Sequence, residues 1–285
     1  MPERDGYPAG VPCWVETTQP DPDAAAAFYR GLFGWELEDV MPPGSGAKYL
    51  MARLRGGDVA AISSQPPRAP AQAVWNTYVL VDSADEAVGR ARAAGGSVVA
   101  EPFDVMDAGR MAVVADPEGA TFMVWQAGRH MGARIVNEHG ALNFNNLYTR
   151  DVDAARRFYS AVFGWDAFAL PGGHAWALPG YGDHLEQLTP GIRKMAADFG
   201  VPGFENVVAA INPISPGDSD TPAHWGVTFG VDDSVAAAQK ATELGGAVVS
   251  PPVDAPFARV AVLRDPQGAS FTVSQFVPEN QDVAG

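Results

Sequence analysis

Apolar and polar residues follow one another in patterns that predict short strands and helices along the first part of the chain. Val11 to Thr18 has the pattern of a strand, and Pro22 to Phe33 carries apolar residues at helical spacing. Asp21 is expected to cap this helix, because proline suits the first helical position after the cap. Further strands are predicted over Trp35 to Val40, Lys48 to Leu54 and Val59 to Ser63. The resulting order is β-α-β-β-β.

The same order then begins again. A strand is predicted over Asn76 to Val81 and a helix over Ser83 to Ala94. The helix is expected to end at Gly95-Gly96, because glycine adopts the left-handed conformation that other residues avoid. Three strands are predicted to follow, over Ser97 to Phe103, Arg110 to Ala115 and Thr121 to Gln126.

Several motifs occur twice, in the same order. The stretch FYRGLFGW at 28–35 returns as FYSAVFGW at 158–165. The pair VD at 81–82, the pair GG at 95–96 and the turn DPEG at 116–119 return at 231–232, 245–246 and 265–268. Such self-similarity indicates an internal duplication. We therefore predict a first domain over 8–128, a linker over 129–140 and a second domain over 141–278.

The second half departs from the first by an insertion near 180–205. The gap from Trp165 to Trp225 is longer than the matching gap from Trp35 to Trp75. Ile192 to Phe199, inside the insertion, is expected to be helical. An insertion between the strands of a compact sheet is either surface decoration or a lid or wall of a pocket, and both alternatives stay open.

Charge and composition narrow the classes of function. Acidic residues outnumber basic ones 34 to 19, so the net charge is −15 and binding to nucleic acid or an anionic membrane is not expected. The single cysteine, Cys13, allows no disulfide within the chain. No secretory signal or long apolar run is recognisable, and we expect a cytoplasmic protein.

The repeated motifs resemble the vicinal oxygen chelate superfamily, which includes glyoxalase I, fosfomycin- and bleomycin-resistance proteins and extradiol dioxygenases. The resemblance covers roughly 10–128 and 140–277 and is strongest to two-domain actinobacterial members, some of which accompany aromatic polyketide antibiotic pathways. It implies an α+β fold, a tandem pair of glyoxalase-like domains. Each domain would contain two βαβββ modules that form a cup-shaped sheet with the ligand inside.

The resemblance also locates where a metal would be bound. Metal-using members place two histidines and a glutamate on three strands of the cup. The corresponding positions hold Trp14, Asn76 and Met123 in the first half, and Phe144, Gly226 and Thr272 in the second. Neither set offers imidazole or carboxylate donors. We expect no metal and no other cofactor there.

A metal site with displaced ligands is the alternative. It would use His224, which lies on the face where a family ligand would be, together with His174, His184 or Glu186. A scattered histidine near a pocket is more often a hydrogen-bonding or surface residue.

Aromatic side chains with a few polar groups are expected to line the cups. Such a mixture suits a flat apolar ligand, because ring faces stack while hydroxyl and amide groups set its orientation. The second cup is expected to be roomier, since its residues are smaller. One cup filled by its own side chains is the competing interpretation. The predicted binding residues are Trp14, Glu16, Asn76, Tyr78, Met123, Trp125, Phe144, Asn146, Tyr148, His224, Gly226 and Thr272.

Catalysis without a metal would need a positioned acid or base. Glu16 is the first candidate, since burial on an aromatic-lined face raises the pKa of a carboxyl group. His224 and Tyr148 are the next candidates. Each has a plainer alternative role, as a hydrogen-bonded pocket wall or a core tyrosine.

Four other residues are expected to have structural roles. His130 and His139 fall in the linker and are expected to be solvated. Arg110 and Arg259 occupy matching positions in the two halves, which indicates pairing with a turn carbonyl or a carboxylate. Cys13 is expected to be a buried, inert thiol.

Three functions are compatible with these features. The first is metal-independent binding of a planar aromatic, polyketide- or antibiotic-like molecule, for self-resistance or as an accessory to a biosynthetic tailoring enzyme. The second is a metal-independent tailoring enzyme, isomerase- or hydroxylase-like. The third is a metal-dependent lyase or dioxygenase with displaced ligands. Whether the protein is an enzyme, and whether it is a monomer or a homodimer, the sequence leaves open.

Overall fold

The computed structural model describes residues 3–66, 73–170, 173–281 and 283, and it confirms the predicted repeat of β-α-β-β-β modules. The first module contains β1 (Pro12–Gln19), α1 (Pro22–Phe33), β2 (Glu36–Asp39), β3 (Tyr49–Leu54) and β4 (Gly57–Ser64). The second contains β5 (Val74–Leu80), α2 (Ala84–Ala93), β6 (Ser97–Val105), β7 (Gly109–Ala115) and β8 (Thr121–Ala127).

The second half repeats this order with two added helices. Its first module contains β9 (Leu142–Thr149), α3 (Val152–Phe163), β10 (Asp166–Leu170), β11 (Gly173–Ala177), the helices α4 (Tyr181–Leu188) and α5 (Ile192–Asp198), and β12 (Val207–Pro213). Its last module contains β13 (His224–Gly230), α6 (Ser234–Glu243), β14 (Ala247–Ala255), β15 (Ala258–Arg264) and β16 (Ser270–Phe276). Short 3₁₀ turns occur at Phe204–Asn206 and Pro278–Asn280. The expected helix at Ile192 is confirmed, whereas α4 was not predicted.

Each half forms one eight-stranded sheet, in the orders β2-β3-β4-β1-β5-β8-β7-β6 and β10-β11-β12-β9-β13-β16-β15-β14. The module helices α1, α2, α3 and α6 pack on one face of the two sheets, and the opposite faces are the two cups. The first strands of the paired modules, β1 with β5 and β9 with β13, are antiparallel neighbours at the centre of each sheet. Among the described residues, no helix is long and apolar enough to cross a membrane.

The α1 helix begins and ends as its sequence predicts. The side chain of Asp21 accepts hydrogen bonds from the backbone N–H groups of Asp23 and Ala24, which otherwise lack partners in the first turn. The chain leaves the helix at Gly34, whose φ of 72° lies in the left-handed region. The helix therefore delivers Tyr29 and Trp35 to the interior at a fixed angle.

In each half, a buried tyrosine binds the aspartate turn of the other half. Tyr29 of the first half donates a hydrogen bond of 3.0 Å to Asp265 Oδ2 in the second half's DPQG turn. Tyr159 of the second half donates one of 3.0 Å to Asp116 Oδ2 in the first half's DPEG turn. All four residues are buried. The repeated Tyr and Asp are thus partners across the boundary between the halves.

The repeated phenylalanines, glycines and tryptophans meet at the same boundary. A Cβ on Gly96 would lie 2.6 Å from the ring of Phe158, and one on Gly246 would lie 2.9 Å from the ring of Phe28. Only glycine permits this approach, which is closer than any Cβ contact. Trp35 Nε1 donates to the carbonyl oxygen of Gly140, and Trp165 Nε1 to that of Gly10, each at 2.7 Å. The repeated motifs therefore form one pseudo-symmetric interface.

We expect Tyr29→Phe and Tyr159→Phe each to lower the free energy of unfolding by about 1–3 kcal/mol, because each removes a buried hydroxyl with two partners. The hydroxyl of Tyr29 also accepts from Trp75 Nε1 at 3.0 Å, and that of Tyr159 from Trp225 Nε1 at 2.9 Å. Urea unfolding measures the change. Tyr148→Phe, at a half-buried position, is the control, and losses no larger than its own would contradict the exchange as a stabilising contact.

Candidate functional site

The first cup is filled by its own side chains. Trp14, Tyr78, Met123 and Trp125 are all buried, with Trp14 only 2% exposed. Trp14 Nε1 donates to Tyr49 Oη at 3.1 Å, which ties β1 to β3 across the cup. Ring edges and faces pack together here as they do in a protein core. One cup filled by its own side chains was the competing interpretation of the sequence, and the first cup is filled in this way.

Glu16 lies inside this packed group. Its side chain is 9% exposed, and Ser63 Oγ donates to Glu16 Oε1 at 3.4 Å. Burial raises the pKa of the carboxyl group, opposed by hydrogen bonds from Tyr78, Tyr49 and Ser63. The carboxyl group of Glu16 is buried and its pKa is raised, as expected for this candidate acid, but it faces the protein's own rings.

His130 closes the first cup, which corrects its expected solvated position. Its ring lies 4.4 Å from that of Trp14, edge to face, and its carbonyl oxygen accepts from Trp125 Nε1 at 2.9 Å. Burial lowers the pKa of the imidazole. Linker sequence gave no sign of this contact, because it depends on where the linker crosses the sheet. The other linker histidine, His139, is 45% exposed and accepts from the backbone N–H of Asp232.

The second cup is more open. Its predicted lining residues are partly exposed where most of their counterparts in the first cup are buried. The difference follows from side-chain size, since Thr272 replaces Met123 and Ser274 replaces Trp125 at matching positions of β16 and β8. The partly exposed residues are Phe144, Asn146, Tyr148, His224, Gly226, Thr272 and Ser274.

A stacked pair of rings forms one wall of the second cup. Tyr148 and His224 lie opposite each other on β9 and β13, with centroids 4.5 Å apart and planes inclined by 4°. Gly226 leaves room for this arrangement, because a Cβ there would lie 3.1 Å from the Tyr148 ring. Burial raises the pKa of Tyr148, opposed by a hydrogen bond with Thr272. Tyrosine, histidine and threonine thus form a continuous polar edge.

The tautomer of His224 follows from its contact. His224 Nδ1 lies 2.8 Å from the carbonyl oxygen of Pro222. A carbonyl oxygen only accepts, so Nδ1 carries the hydrogen and Nε2 of the neutral ring keeps its lone pair. His224 therefore offers a proton acceptor beside the cup.

Asn212 is a cup residue that the sequence did not identify. It pairs in register with Tyr148 across β12 and β9, and its Nδ2 is buried without a hydrogen-bond partner. A buried donor without a partner is costly, so a ligand oxygen at this position would be stabilising. The matching residue of the first half is Ser63. Only the register of the sheet, which the sequence does not encode locally, brings Asn212 to this face.

Among the polar lining residues, two asparagines are satisfied locally. Asn76 Nδ2 donates to Thr18 Oγ1 at 2.8 Å, and Asn146 Nδ2 donates to Thr228 Oγ1 at 2.7 Å. These amide–hydroxyl pairs bridge the central strands of each sheet. They also fix the orientation of each side-chain amide.

The positions of the family metal ligands converge in both cups, but their side chains do not fit a metal ion. In the first cup they lie on the adjacent strands β1, β5 and β8, and in the second on β9, β13 and β16. The first set offers an indole, an amide and a thioether, and the second a phenyl ring, a glycine and a hydroxyl. A divalent ion of this superfamily needs imidazole and carboxylate donors.

The displaced-ligand set is not assembled around His224. Glu186 accepts from the backbone N–H groups of Gly191 at 2.6 Å and Arg193 at 3.2 Å, and so caps α5. His184 stacks on Tyr181 at the base of the insertion. Within 3–66, 73–170, 173–281 and 283, no three His, Cys, Asp or Glu side chains are grouped to hold a metal ion.

The remaining predicted positions have structural contacts. Arg110 pairs with Asp85 and Asp104, and Arg259 with Asp254, so the matching arginines each bind a carboxylate on a neighbouring strand. Cys13 is fully buried, and burial raises the pKa of its thiol.

Comparisons with known proteins agree with this architecture. The model of the Glyoxalase/Bleomycin resistance protein/Dioxygenase superfamily matches residues 14–124 and 141–273. CFP32 of Mycobacterium tuberculosis is 41% identical over 282 residues, covering 98% of this chain and 100% of that protein. The anthracycline biosynthesis protein DauV of Streptomyces sp. strain C5 is 36% identical over 280 residues, covering 94% of each. The Mn(II)-bound glyoxalase from Novosphingobium aromaticivorans has a similar fold, with a TM-score of 0.59 at 15% identity, over 94% of this chain and 82% of that chain.

Replacing Glu16 should change the way in which the free energy of unfolding depends on pH. The ordinary pKa of a glutamate is 4.5, so the unfolded chain releases the Glu16 proton above that pH. The folded protein still holds this proton there, because the pKa of Glu16 is raised. The stability from the neutral carboxyl is therefore full below that pH and is lost as the pH rises through the raised pKa of the folded state. We expect parent minus Glu16→Gln unfolding free energies, from urea titrations, to fall as pH rises. Glu36→Gln, at an exposed position of β2, controls for the lost charge, and a pH-independent difference would contradict the prediction.

Proposed function

Because the chain belongs to the glyoxalase/bleomycin resistance protein/dioxygenase superfamily, we propose that its second cup binds a planar aromatic small molecule without a metal ion. The ligand class is polyketide- or antibiotic-like. The bound molecule is either sequestered for self-resistance or passed to or from a biosynthetic tailoring enzyme that this protein accompanies.

The observation that carries the proposal is the difference between two cups built on one scaffold. The first cup is closed by buried rings, whereas the second keeps its rings partly exposed and ends in small residues. Phe144 and Tyr148 offer faces on which a flat ligand stacks. Asn146, Asn212 and Thr272 offer amide and hydroxyl groups that fix its orientation.

Metal independence is supported by the donor chemistry of the cups. Three strands converge where related proteins would hold an ion, and the side chains at those three positions include no imidazole or carboxylate in either half. Binding in the second cup would then rest on stacking, on exclusion of water and on neutral hydrogen bonds. This mode suits an apolar, aromatic ligand better than a small charged one, particularly in a chain with a net charge of −15.

The pathway role is supported by the relatives. DauV and DnrV, which is from Streptomyces peucetius, are both named as anthracycline biosynthesis proteins, and each is 36% identical to this chain over 280 residues. A planar polycyclic ligand is consistent with such a pathway. An accessory that removes or delivers the product of a tailoring enzyme needs an open cup and no reactive centre.

A metal-independent tailoring enzyme is the second candidate function, favoured by the geometry at His224. The Pro222 carbonyl anchors Nδ1, so Nε2 is the free acceptor beside the cup. Such a nitrogen is placed to remove a proton from a phenol or from a carbon next to a ketone. In that case His224 would be the base, and the hydroxyl of Tyr148 would orient the substrate.

Filling the second cup should weaken binding. Ser274→Trp places the tryptophan of the first cup at the matching position of the second, where it would occupy the space of the ligand. We expect it to weaken binding of a tetracyclic hydroxyanthraquinone, followed by the probe's own fluorescence, by about 100-fold, or ~2.7 kcal/mol. Val235→Trp adds the same bulk to α6 outside the cup, at a valine that is 41% exposed, and should bind as the parent does.

Equal affinity of the parent and Ser274→Trp would contradict binding in the second cup. The probe recovered after binding is then analysed by chromatography. An unchanged probe supports the binding protein, whereas a chemically altered probe favours the tailoring enzyme.

A metal chelator should leave binding of the anthraquinone unchanged. We expect elemental analysis of the protein, after exposure to Zn²⁺, Ni²⁺, Mn²⁺ and Fe²⁺ and then desalting, to show none of these ions in stoichiometric amount. The affinity for the anthraquinone should be the same with and without EDTA. Stoichiometric metal that EDTA removes together with binding would contradict metal independence and direct mutagenesis to His224.

A further inference from the structure

The insertion of the second half has one firmly held end. Tyr181 and Leu185 of α4 are buried in the core on the helix side of the sheet. Arg4 Nη1 donates to Tyr181 Oη at 2.9 Å, so the beginning of the chain holds this helix as well. Gly182 N–H donates to Asn206 Oδ1 at 2.9 Å, which joins α4 to the chain that re-enters the sheet.

The middle of the insertion leaves this core and contacts the sheet at two places. The ring of Phe199 lies edge to face against Phe257, at 5.7 Å, and Phe276, at 5.9 Å. Four residues later, a Cβ on Gly203 would lie 3.1 Å from the ring of Phe168. The α5 helix, which precedes Phe199 and packs against α4, is mostly exposed, with only Ala196 buried.

These two contact points lie at opposite sides of the sheet. Phe168 is on the edge strand β10, whereas Phe257 is in the turn between β14 and β15 and Phe276 ends β16. The stretch 199–203 spans at most roughly 14 Å. A segment so short touches both sides only if the sheet curls and the segment crosses its open side.

The contacts are on the cup face. Phe276 alternates with Ser274 and Thr272 along β16 and so points to the same face. Phe168 pairs with Ala175, which pairs with Ala210, which in turn pairs with Asn146 of the cup. Residues directly opposite each other in a sheet share a face. Phe168 and Phe276 thus belong to opposite rims of the second cup.

We infer that residues 192–203 form a lid over the second cup, with Phe199 as its latch on Phe257 and Phe276. The lid opens to admit the ligand and closes over it, so Phe199 also limits the size of what the cup encloses. The inference of a ligand beneath the lid rests on the proposed function, whereas the lid itself does not.

The latch is weak enough to open and the lid has hinges. Phe276 is 62% exposed, so its contact with Phe199 buries little surface. Glycines with left-handed backbone conformations precede and follow the lid helix, at Gly191 (φ 92°), Gly200 (φ 76°) and Gly203 (φ 93°). A lid closes by means of a few loop positions that absorb large changes in φ and ψ.

A cysteine on the cup floor tests the lid without any ligand. Cys13 is the only native thiol and is fully buried, so Ser274→Cys gives one reactive thiol whose maleimide labelling rate measures access to the cup. Adding Phe199→Ala should speed this labelling about threefold to tenfold, because the aromatic latch is lost. Phe103→Ala removes a phenylalanine from β6 of the first sheet, away from the lid, and should leave the rate unchanged.

Two results would overturn the lid. One is an equal labelling rate with and without Phe199. The other is an equal acceleration at Val235→Cys on α6, which would show general loosening of the fold. Circular dichroism of each variant confirms that the secondary structure is retained.

Adding the tetracyclic hydroxyanthraquinone separates the lid from the proposed function. Slower labelling of Ser274→Cys with the probe, together with acceleration by Phe199→Ala, supports both. Acceleration by Phe199→Ala without protection by the probe supports the lid and contradicts the proposed ligand. Protection by the probe without any effect of Phe199→Ala supports the ligand site and overturns the lid.

Discussion

Each half of this protein completes its core with a turn that belongs to the other half. The buried pairs Tyr29–Asp265 and Tyr159–Asp116 are the points at which this exchange is made. A buried carboxylate must be satisfied by hydrogen bonds or it destabilises the fold. Because each aspartate finds its tyrosine only across the boundary, the whole chain is the folding unit. These contacts hold the two sheets, and with them the two cups, in one structure.

A shared scaffold makes the difference between the cups interpretable. Strand order and register are the same in both halves, so a change in side chain at a matching position has a local cause. Trp125 against Ser274 and Met123 against Thr272 account for the filled and open states. The insertion adds to this contrast, since it belongs to the half whose cup is open. The second cup therefore differs from the first in its size, in the chemistry of its lining and in the insertion that belongs to its half.

The repeat, the modules and the cup-facing residues were predictable because their signals are local. Alternation along β1 places Trp14 and Glu16 on one face, whatever the rest of the chain does. The roles of the repeated motifs were not predictable, since Tyr29 and Gly96 act through partners in the other half. His130 and Asn212 were missed for a related reason. Their positions depend on the path of the linker and on sheet register, neither of which is encoded in nearby residues.

The added helices show a different limit of sequence. The apolar spacing of α5 predicted a helix, but no local signal indicated that Phe199 would reach the far rim of the sheet. That contact depends on how strongly the sheet curls, which is a property of all its strands together.

The filled first cup changes what mutations there mean. Substitutions among its packed rings alter the stability of the whole chain, because the two halves share a core. Substitutions in the open second cup change side chains that are partly exposed, so they have less effect on folding. After a duplication, selection on the two copies would therefore diverge. The packed residues of the first cup would tolerate few substitutions, whereas the lining of the second cup would tolerate more. Sequence variation among homologues should accordingly be concentrated in the second half's cup.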